Sequence, residues 1–387
     1  MVTPARIRWK SPTCVALAMY APSPVARVDT CESLAHRQAD RPAPATVERM
    51  DAWILDDSPG AYRWGEIELP PLAADEVRVR VVTSALNHLD LWITRGLPRP
   101  KLPHVPGCDA AGVIESIGSA VTHLAVGDEV VVNPGISPVE DIVAFGNNSP
   151  LGPGFTIVGE HVWGGHATFV QAPARNIVQR PTNRTWAECA AYPIAYLTAF
   201  RMLKRARLAA GETVLVVGIG SGVACAALTL AKHMGAEVIV TSRSEAKRTA
   251  ALGLGASAAY DSADRSWPVQ ADVIVESVGP ATWQQSTRSL KPGGRMVVCG
   301  STSGPNVEIS MPRLFFKQWE IIGSTVGSYQ EFAEVTRLIE GGLPVIIDHV
   351  FAVGDYPAAL ERMDAAEQLG NIVIQHPMPP GPADTTA

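Results

Sequence analysis

The sequence predicts an α/β protein of two domains, a small β-barrel and a doubly wound parallel sheet. Three observations carry this. The chain has 387 residues, beyond the ~250–300 at which a single core stops growing. Strand signals of period 2 fill the first part of the body. After about Tyr192, apolar runs alternate with helix-length stretches.

In the first part Val77, Val79 and Val81 alternate with Arg78 and Arg80, the pattern of an antiparallel strand with one wet face. Short strands follow at 113–114 and 130–132. Gly107, Gly112, Gly118 and Gly127 punctuate them at intervals suited to a small barrel. In the second part the strand runs 214–217, 238–240, 273–275 and 296–298 alternate with helices over 224–234, 245–252 and 281–290. That alternation implies a parallel sheet covered on both faces. Beyond Gly327 the pattern predicts a helix at 331–339, a strand near 346–350, a helix at 357–368 and a last strand at 372–375.

Composition excludes several classes. Hydrophobic residues make up 47% of the chain, enough apolar surface to rule out disorder for most of it. The net charge of −6 offers no general footprint for nucleic acid or an acidic membrane. Six scattered cysteines do not make a disulfide scaffold and fit a reduced, cytoplasmic protein. The uncharged run 214–231 is interrupted by Gly218, Gly220 and Gly222, so it reads as strand, turn and helix and not as a membrane span. Residues 1–49 carry six prolines and no sustained period. They are expected to be a disordered or untranslated leader ahead of a start at Met50, with a targeting peptide as the alternative. The Pro- and Thr-rich tail 377–387 is expected to be loose.

The stretch Gly218-Ile219-Gly220-Ser221-Gly222-Val223 sits between a strand and a helix. Glycines there let the backbone approach a pyrophosphate, and the helix N-terminus offers N–H groups and partial positive charge. A dinucleotide binder for NAD carries an acid about 20 residues on, at the end of the next strand. Here that strand runs into Thr241-Ser242-Arg243-Ser244, with Lys247 a turn later and no carboxylate at the strand end. Arg243 and Lys247 can pair a 2′-phosphate, which favours NADP(H) over NAD.

With these residues in view, the chain from Met50 to about His376 resembles the medium-chain dehydrogenase/reductases, the superfamily of zinc alcohol dehydrogenases and quinone reductases. The motifs are Ala85-Leu86-Asn87-His88-Leu89-Asp90, Gly107-Cys108-Asp109-Ala110-Ala111-Gly112, Val126-Gly127-Asp128, Gly159-Glu160-His161 with Gly164-Gly165, Leu197-Thr198-Ala199, Gly293-Gly294-Arg295 and Gly323-Ser324. The resemblance implies a GroES-like barrel as catalytic domain (50–191 and 329–376) split around a Rossmann domain (192–328), with the active site in the cleft between them. It also implies that His88, Thr198, Ser221, Gly222 and Val223 face the cofactor. Ser277, Val278, Gly279, Cys299, Gly300, Ser301 and Ser324 are implied at its nicotinamide end. Family members are often dimers or tetramers paired through an edge strand, expected near Met296–Gly300.

Zinc-type relatives hold a catalytic metal with a Cys, a His and a third ligand. The corresponding positions are Asn87, Cys108 and a residue near Ala190. An Asn amide and one thiolate cannot make the three-ligand open site that catalysis needs. Over 133–159 the four structural-zinc positions hold Pro138, Asp141, Ala144 and Gly152. No metal is therefore expected. Without that Lewis acid, hydride transfer is easier to a conjugated acceptor, so the expected reaction is reduction of a quinone, enone or related activated carbonyl by NADPH. Asn87, Cys108 and Asp109 are the expected catalytic residues, and Tyr196, His161 and Trp163 the expected walls of the substrate cleft. The alternatives are a zinc alcohol dehydrogenase with an atypical site and an NADP(H)-binding protein without turnover.

Overall fold

The computed structural model describes residues 48–377. Most of the expected leader and tail thus lies outside the described residues, and the first strand already begins at Arg49. Strands β1 (Arg49–Leu55) and β2 (Tyr62–Glu68) form an antiparallel ribbon. Then come β3 (Glu76–Ala85), α1 (His88–Thr94), β4 (Asp109–Ile117) and β5 (Glu129–Val132). A lobe of β6 (Gly135–Ile136), α2 (Val139–Phe145) and β7 (Thr156–Ile157) leads to β8 (Phe169–Pro173), β9 (Ile177–Gln179), α3 (Trp186–Ala191) and α4 (Pro193–Arg205). Next are β10 (Thr213–Val216), α5 (Gly222–His233), β11 (Glu237–Ser242), α6 (Glu245–Gly253), β12 (Ala258–Asp261) and β13 (Ala271–Glu276). After these come α7 (Pro280–Ser289), β14 (Leu290–Val298), α8 (Met311–Phe316) and β15 (Glu320–Gly323). The described chain closes with α9 (Tyr329–Glu340), β16 (Ile347–Ala352), α10 (Tyr356–Asp364) and β17 (Asn371–Gln375).

Two sheets organise these elements. One has the order β16-β17-β3-β4-β5-β9, with β8 also on β3. The other is a parallel sheet of order β12-β11-β10-β13-β14-β15. Because β17 pairs with β3, the chain returns to its first sheet after completing the second.

Side-chain parity explains the cores. Val77, Val79 and Val81 pack with Ile114, Val130, Val132 and Val170 inside the barrel. The opposite face of β3 is not wet, as its alternation suggested. Arg78 is buried, ion-paired with Glu48 and donating to the Pro70 carbonyl at 3.3 Å. In the parallel sheet Val214 and Val216 face α4 and α5, while Leu215 and Val217 face Trp267, Trp283 and Met296. Both faces are covered, which is why β10 reads as an unbroken apolar run. The expected edge is corrected: Met296 lies in β14, which is flanked on both sides, and the true edge is β15. β12 and β15 carried no clear sequence signal because each is short and half-buried. No helix among the described residues is long and apolar enough to cross a membrane.

Candidate active site

A cleft opens where the start of α5 meets α1, the Gly107–Cys108 loop and the segment after α10. Its back wall is the glycine loop between β10 and α5. Gly218 (φ +77°) and Gly220 (φ +151°) hold backbone angles that L side chains rarely adopt. The Gly218 N–H donates to Thr241 Oγ1 at 3.1 Å and the Ile219 N–H to the Thr241 carbonyl at 2.7 Å, tying the loop to β11. Ser221 caps α5 by accepting from the Ala224 N–H at 3.2 Å. Gly222 is required for a second reason, since a Cβ there would overlap the Asn371 side chain.

These residues fit a dinucleotide. A helix of 12 residues starts in the cleft, and its N-terminus favours a phosphate. Gln368 is 3% exposed, lines the same cleft, and its buried Oε1 has no hydrogen-bond partner among the described residues. Of the expected cofactor residues, His88, Thr198, Ser221, Gly222, Val223, Ser277, Cys299 and Gly300 line the cleft. Gly218, Gly220, Ser242, Arg243, Lys247, Val278, Gly279, Ser301 and Ser324 stand outside that lining. Arg243 is exposed at the end of β11 and makes no hydrogen bond or ion pair among the described residues. Lys247 is already engaged. Its ammonium donates to the Ala366 carbonyl at 2.7 Å and sits over Gly220. Val278 packs behind Gly218.

Glu276 is a buried residue behind the cleft that sequence reasoning missed. It is fully buried at the end of β13, and its carboxylate accepts from the Val278 N–H (2.7 Å), the Gly279 N–H (3.1 Å), Thr282 Oγ1 (3.1 Å) and Ser286 Oγ (2.7 Å). It shapes the loop that brings Ser277 into the cleft. A carboxylate directly after the apolar run 273–275 was the available signal. Thr302, Thr325, Gln368 and Asn371 were also missed as lining residues.

At the other end Asn87 and Cys108 line the cleft. Asp109 does not reach it. Its buried carboxylate accepts from Asn87 Nδ2 and the Ile194 N–H, both at 2.8 Å. Burial pushes its pKa up to about 7, against the lowering effect of those two bonds. Burial likewise holds the Cys108 thiol well above its usual range, and keeps the His88 imidazole below its own. Tyr196, expected in the cleft wall, is fully buried and donates to the Pro344 carbonyl at 2.8 Å. Trp163 donates to the Pro103 carbonyl and, like His161, stands outside the lining.

A zinc ion does not suit this donor set. Asn87 spends its amide on Asp109, Cys108 is a buried thiol, and Ala190 is packed in an apolar cluster. Among the described residues no three His, Cys, Asp or Glu side chains are disposed to hold a metal. In the lobe, Asp141 accepts from the Gly154 N–H at 2.8 Å, and both Gly152 and Gly154 pack against its side chain.

Residues 73–182 match the model of the alcohol dehydrogenase GroES-like domain, and residues 222–341 that of the zinc-binding dehydrogenases. A solved NAD-dependent alcohol dehydrogenase is 33% identical at a TM-score of 0.79, covering 84% of this chain and 99% of its own. The chain belongs to the medium-chain dehydrogenase/reductase superfamily. The barrel is therefore the GroES-like domain and the parallel sheet the Rossmann domain of this α/β superfamily. Another medium-chain relative, 2-methylene-furan-3-one reductase of Solanum lycopersicum, is 28% identical over 95% of this chain and 87% of the relative. A 2-octenoyl-CoA carboxylase reductase solved with NADP and 2-octenoyl-CoA is 25% identical, with a TM-score of 0.80, covering 89% of this chain and 91% of that one. Medium-chain members of this kind are oxidoreductases that act on small substrates with a nicotinamide cofactor.

Proposed function

We propose that this chain is an NADPH-dependent, zinc-independent reductase of a quinone, enone or related activated carbonyl compound, working in the cytoplasm as a homodimer or homotetramer. The observation that carries the reading is the pairing of an intact nucleotide cradle with a donor set unsuited to zinc. Asn87 and Cys108 occupy the place where zinc-type relatives bind metal, next to a cleft whose other end is built for a dinucleotide. A bound nicotinamide cofactor supplies the hydride. The chain's own residues bind and orient: Ser221, Gly222 and Val223 at the pyrophosphate, Arg243 at a 2′-phosphate, and Thr198, Ser277, Cys299 and Gly300 near the nicotinamide. Leu86, Leu89, Trp92, Ile157 and Val326 keep the substrate end apolar. Such a wall suits a conjugated acceptor, whose charge spreads over several atoms as it is reduced. Residues 50–191 with 329–376 form the catalytic domain and 192–328 the cofactor domain in this reading, and the β15 edge is the surface through which copies pair.

The test is NADPH oxidation across a panel of quinones, enones and aldehydes, with NADPH and NADH titrations and metal analysis of the same protein. Turnover confined to conjugated acceptors is expected. Stoichiometric zinc together with alcohol oxidation would establish the alcohol dehydrogenase reading instead, which the identity to the solved alcohol dehydrogenase favours. Tight NADPH binding with no turnover on any acceptor would mark a binding protein.

A further inference from the structure

The side chains lining the cleft include four that titrate: His88, Cys108, Glu160 and Cys299. Reduction of an activated alkene needs a proton as well as a hydride. The two thiols hold theirs too tightly, Cys299 being pushed up to about 12 by burial and Cys108 well above its usual value. Burial lowers the His88 pKa, which makes its charged form scarcer. Glu160 is the one carboxyl among the four.

Its placement is built rather than incidental. Glu160 sits on a tight turn in which the Glu160 and His161 N–H groups both donate to the Ile157 carbonyl (3.2 and 3.0 Å) and the Gly159 N–H donates to the Val162 carbonyl at 2.9 Å. Gly159 adopts φ +78°, and a Cβ there would lie 2.6 Å from the Gly107 carbonyl carbon and 2.8 Å from the Cys108 nitrogen. The turn is thus pressed directly against the loop that carries Cys108 into the cleft. His104, buried beneath, fixes it by a 2.9 Å bond from Nε2 to the Gly159 carbonyl. The neighbouring His161 ring accepts the Ile157 N–H on Nδ1 at 3.2 Å, which leaves Nε2 as the protonated nitrogen of the neutral ring. That Nε2 faces Glu160 Oε1 at 3.9 Å, and His161 itself is 44% exposed.

We infer that Glu160 is the general acid of the reaction. This rests on the proposed reductase reading. The hydride brings two electrons to one carbon of the conjugated acceptor. The enolate or quinol anion so formed takes a proton from the Glu160 carboxyl, one C–H or O–H bond forming as the carboxyl O–H breaks. The carboxylate then recovers a proton from water, and reduced nicotinamide dinucleotide is the only reductant consumed. The groups facing Glu160 are His161 on its own turn, His104 beneath, and Cys108 on the adjacent loop. Desolvation raises the Glu160 pKa against the opposing pull of His161, the direction that favours a carboxyl holding its proton.

The experiment compares the wild type with Glu160→Gln and Glu160→Ala, using enones that the unaltered protein reduces. Loss of the general acid should lower kcat by about 100-fold with NADPH affinity unchanged, abolish the basic limb of the kcat/KM profile, and allow formate to restore turnover in the alanine variant. Difference infrared spectroscopy, which needs no turnover, should show a carboxyl band that titrates above the ordinary glutamate range and is missing from Glu160→Gln. Wild-type rate and pH profile in Glu160→Gln, or the absence of that band, would overturn this inference and leave the reductase reading standing. Failure of the unaltered protein to reduce any acceptor would overturn both.

Discussion

Asn87 Nδ2 donates to Asp109 Oδ2 at 2.8 Å, so a residue lining the cleft is held from behind by a carboxyl outside that lining. The Asn87 N–H is thereby spent inward, on a buried group.

The same pair sets a pH dependence of stability. Burial raises the folded-state pKa of Asp109 to about 7 from an ordinary 3.8. Between those values the folded chain holds the proton more tightly, so this group's contribution to stability falls as pH rises from about 4 to 7 and stays low above that. Asp109→Asn carries no such charge. Its melting temperature, relative to wild type, should therefore be higher at pH 8 than at pH 5, which thermal denaturation followed by circular dichroism checks.

Arg243 is the exposed cation at the strand end where NAD binders place an acid. Arg243→Ala should weaken NADPH by about 10- to 100-fold, the worth of a charge-assisted bond, and leave NADH unchanged. Lys247→Ala should do less, because its ammonium is already bound to the Ala366 carbonyl. Fluorescence titration of both nucleotides separates the two effects. Equal losses for NADPH and NADH would remove Arg243 from cofactor selection.

Removing the Glu276 carboxylate orphans four donors in a dry site. Glu276→Ala should cost about 3 kcal/mol or more of stability in urea unfolding. It should also weaken cofactor binding, since the 277–279 loop loses the group that shapes it.

Arg201, 2% exposed, joins α4 to α9 through Glu331 at 2.7 Å and reaches the lobe through the Asn147 carbonyl at 3.0 Å. Arg201→Met leaves a buried carboxylate without its partner and should destabilise the fold by about 3–5 kcal/mol. The double variant Arg201→Met with Glu331→Gln should recover part of that loss. Denaturant titration of the three proteins measures the coupling.

What was legible in the sequence was local. A glycine loop announces its own backbone angles, and a strand its period. Hence the alternation of β and α elements and the glycine loop 218–222 between strand and helix could be read from residue order. Only the tertiary structure decided the rest. Whether Arg78 is wet depends on Glu48 and Pro70, and whether Asp109 acts on substrate depends on Asn87 and Ile194 standing in front of it. The sheet edge fell on β15 because a short, half-buried strand lacks the apolar run that marks a covered one. Glu160 and Gln368 enter the cleft on turns more than 200 residues apart in sequence. Their roles depend on what faces them across that space, and contacts between distant segments leave no period in the chain.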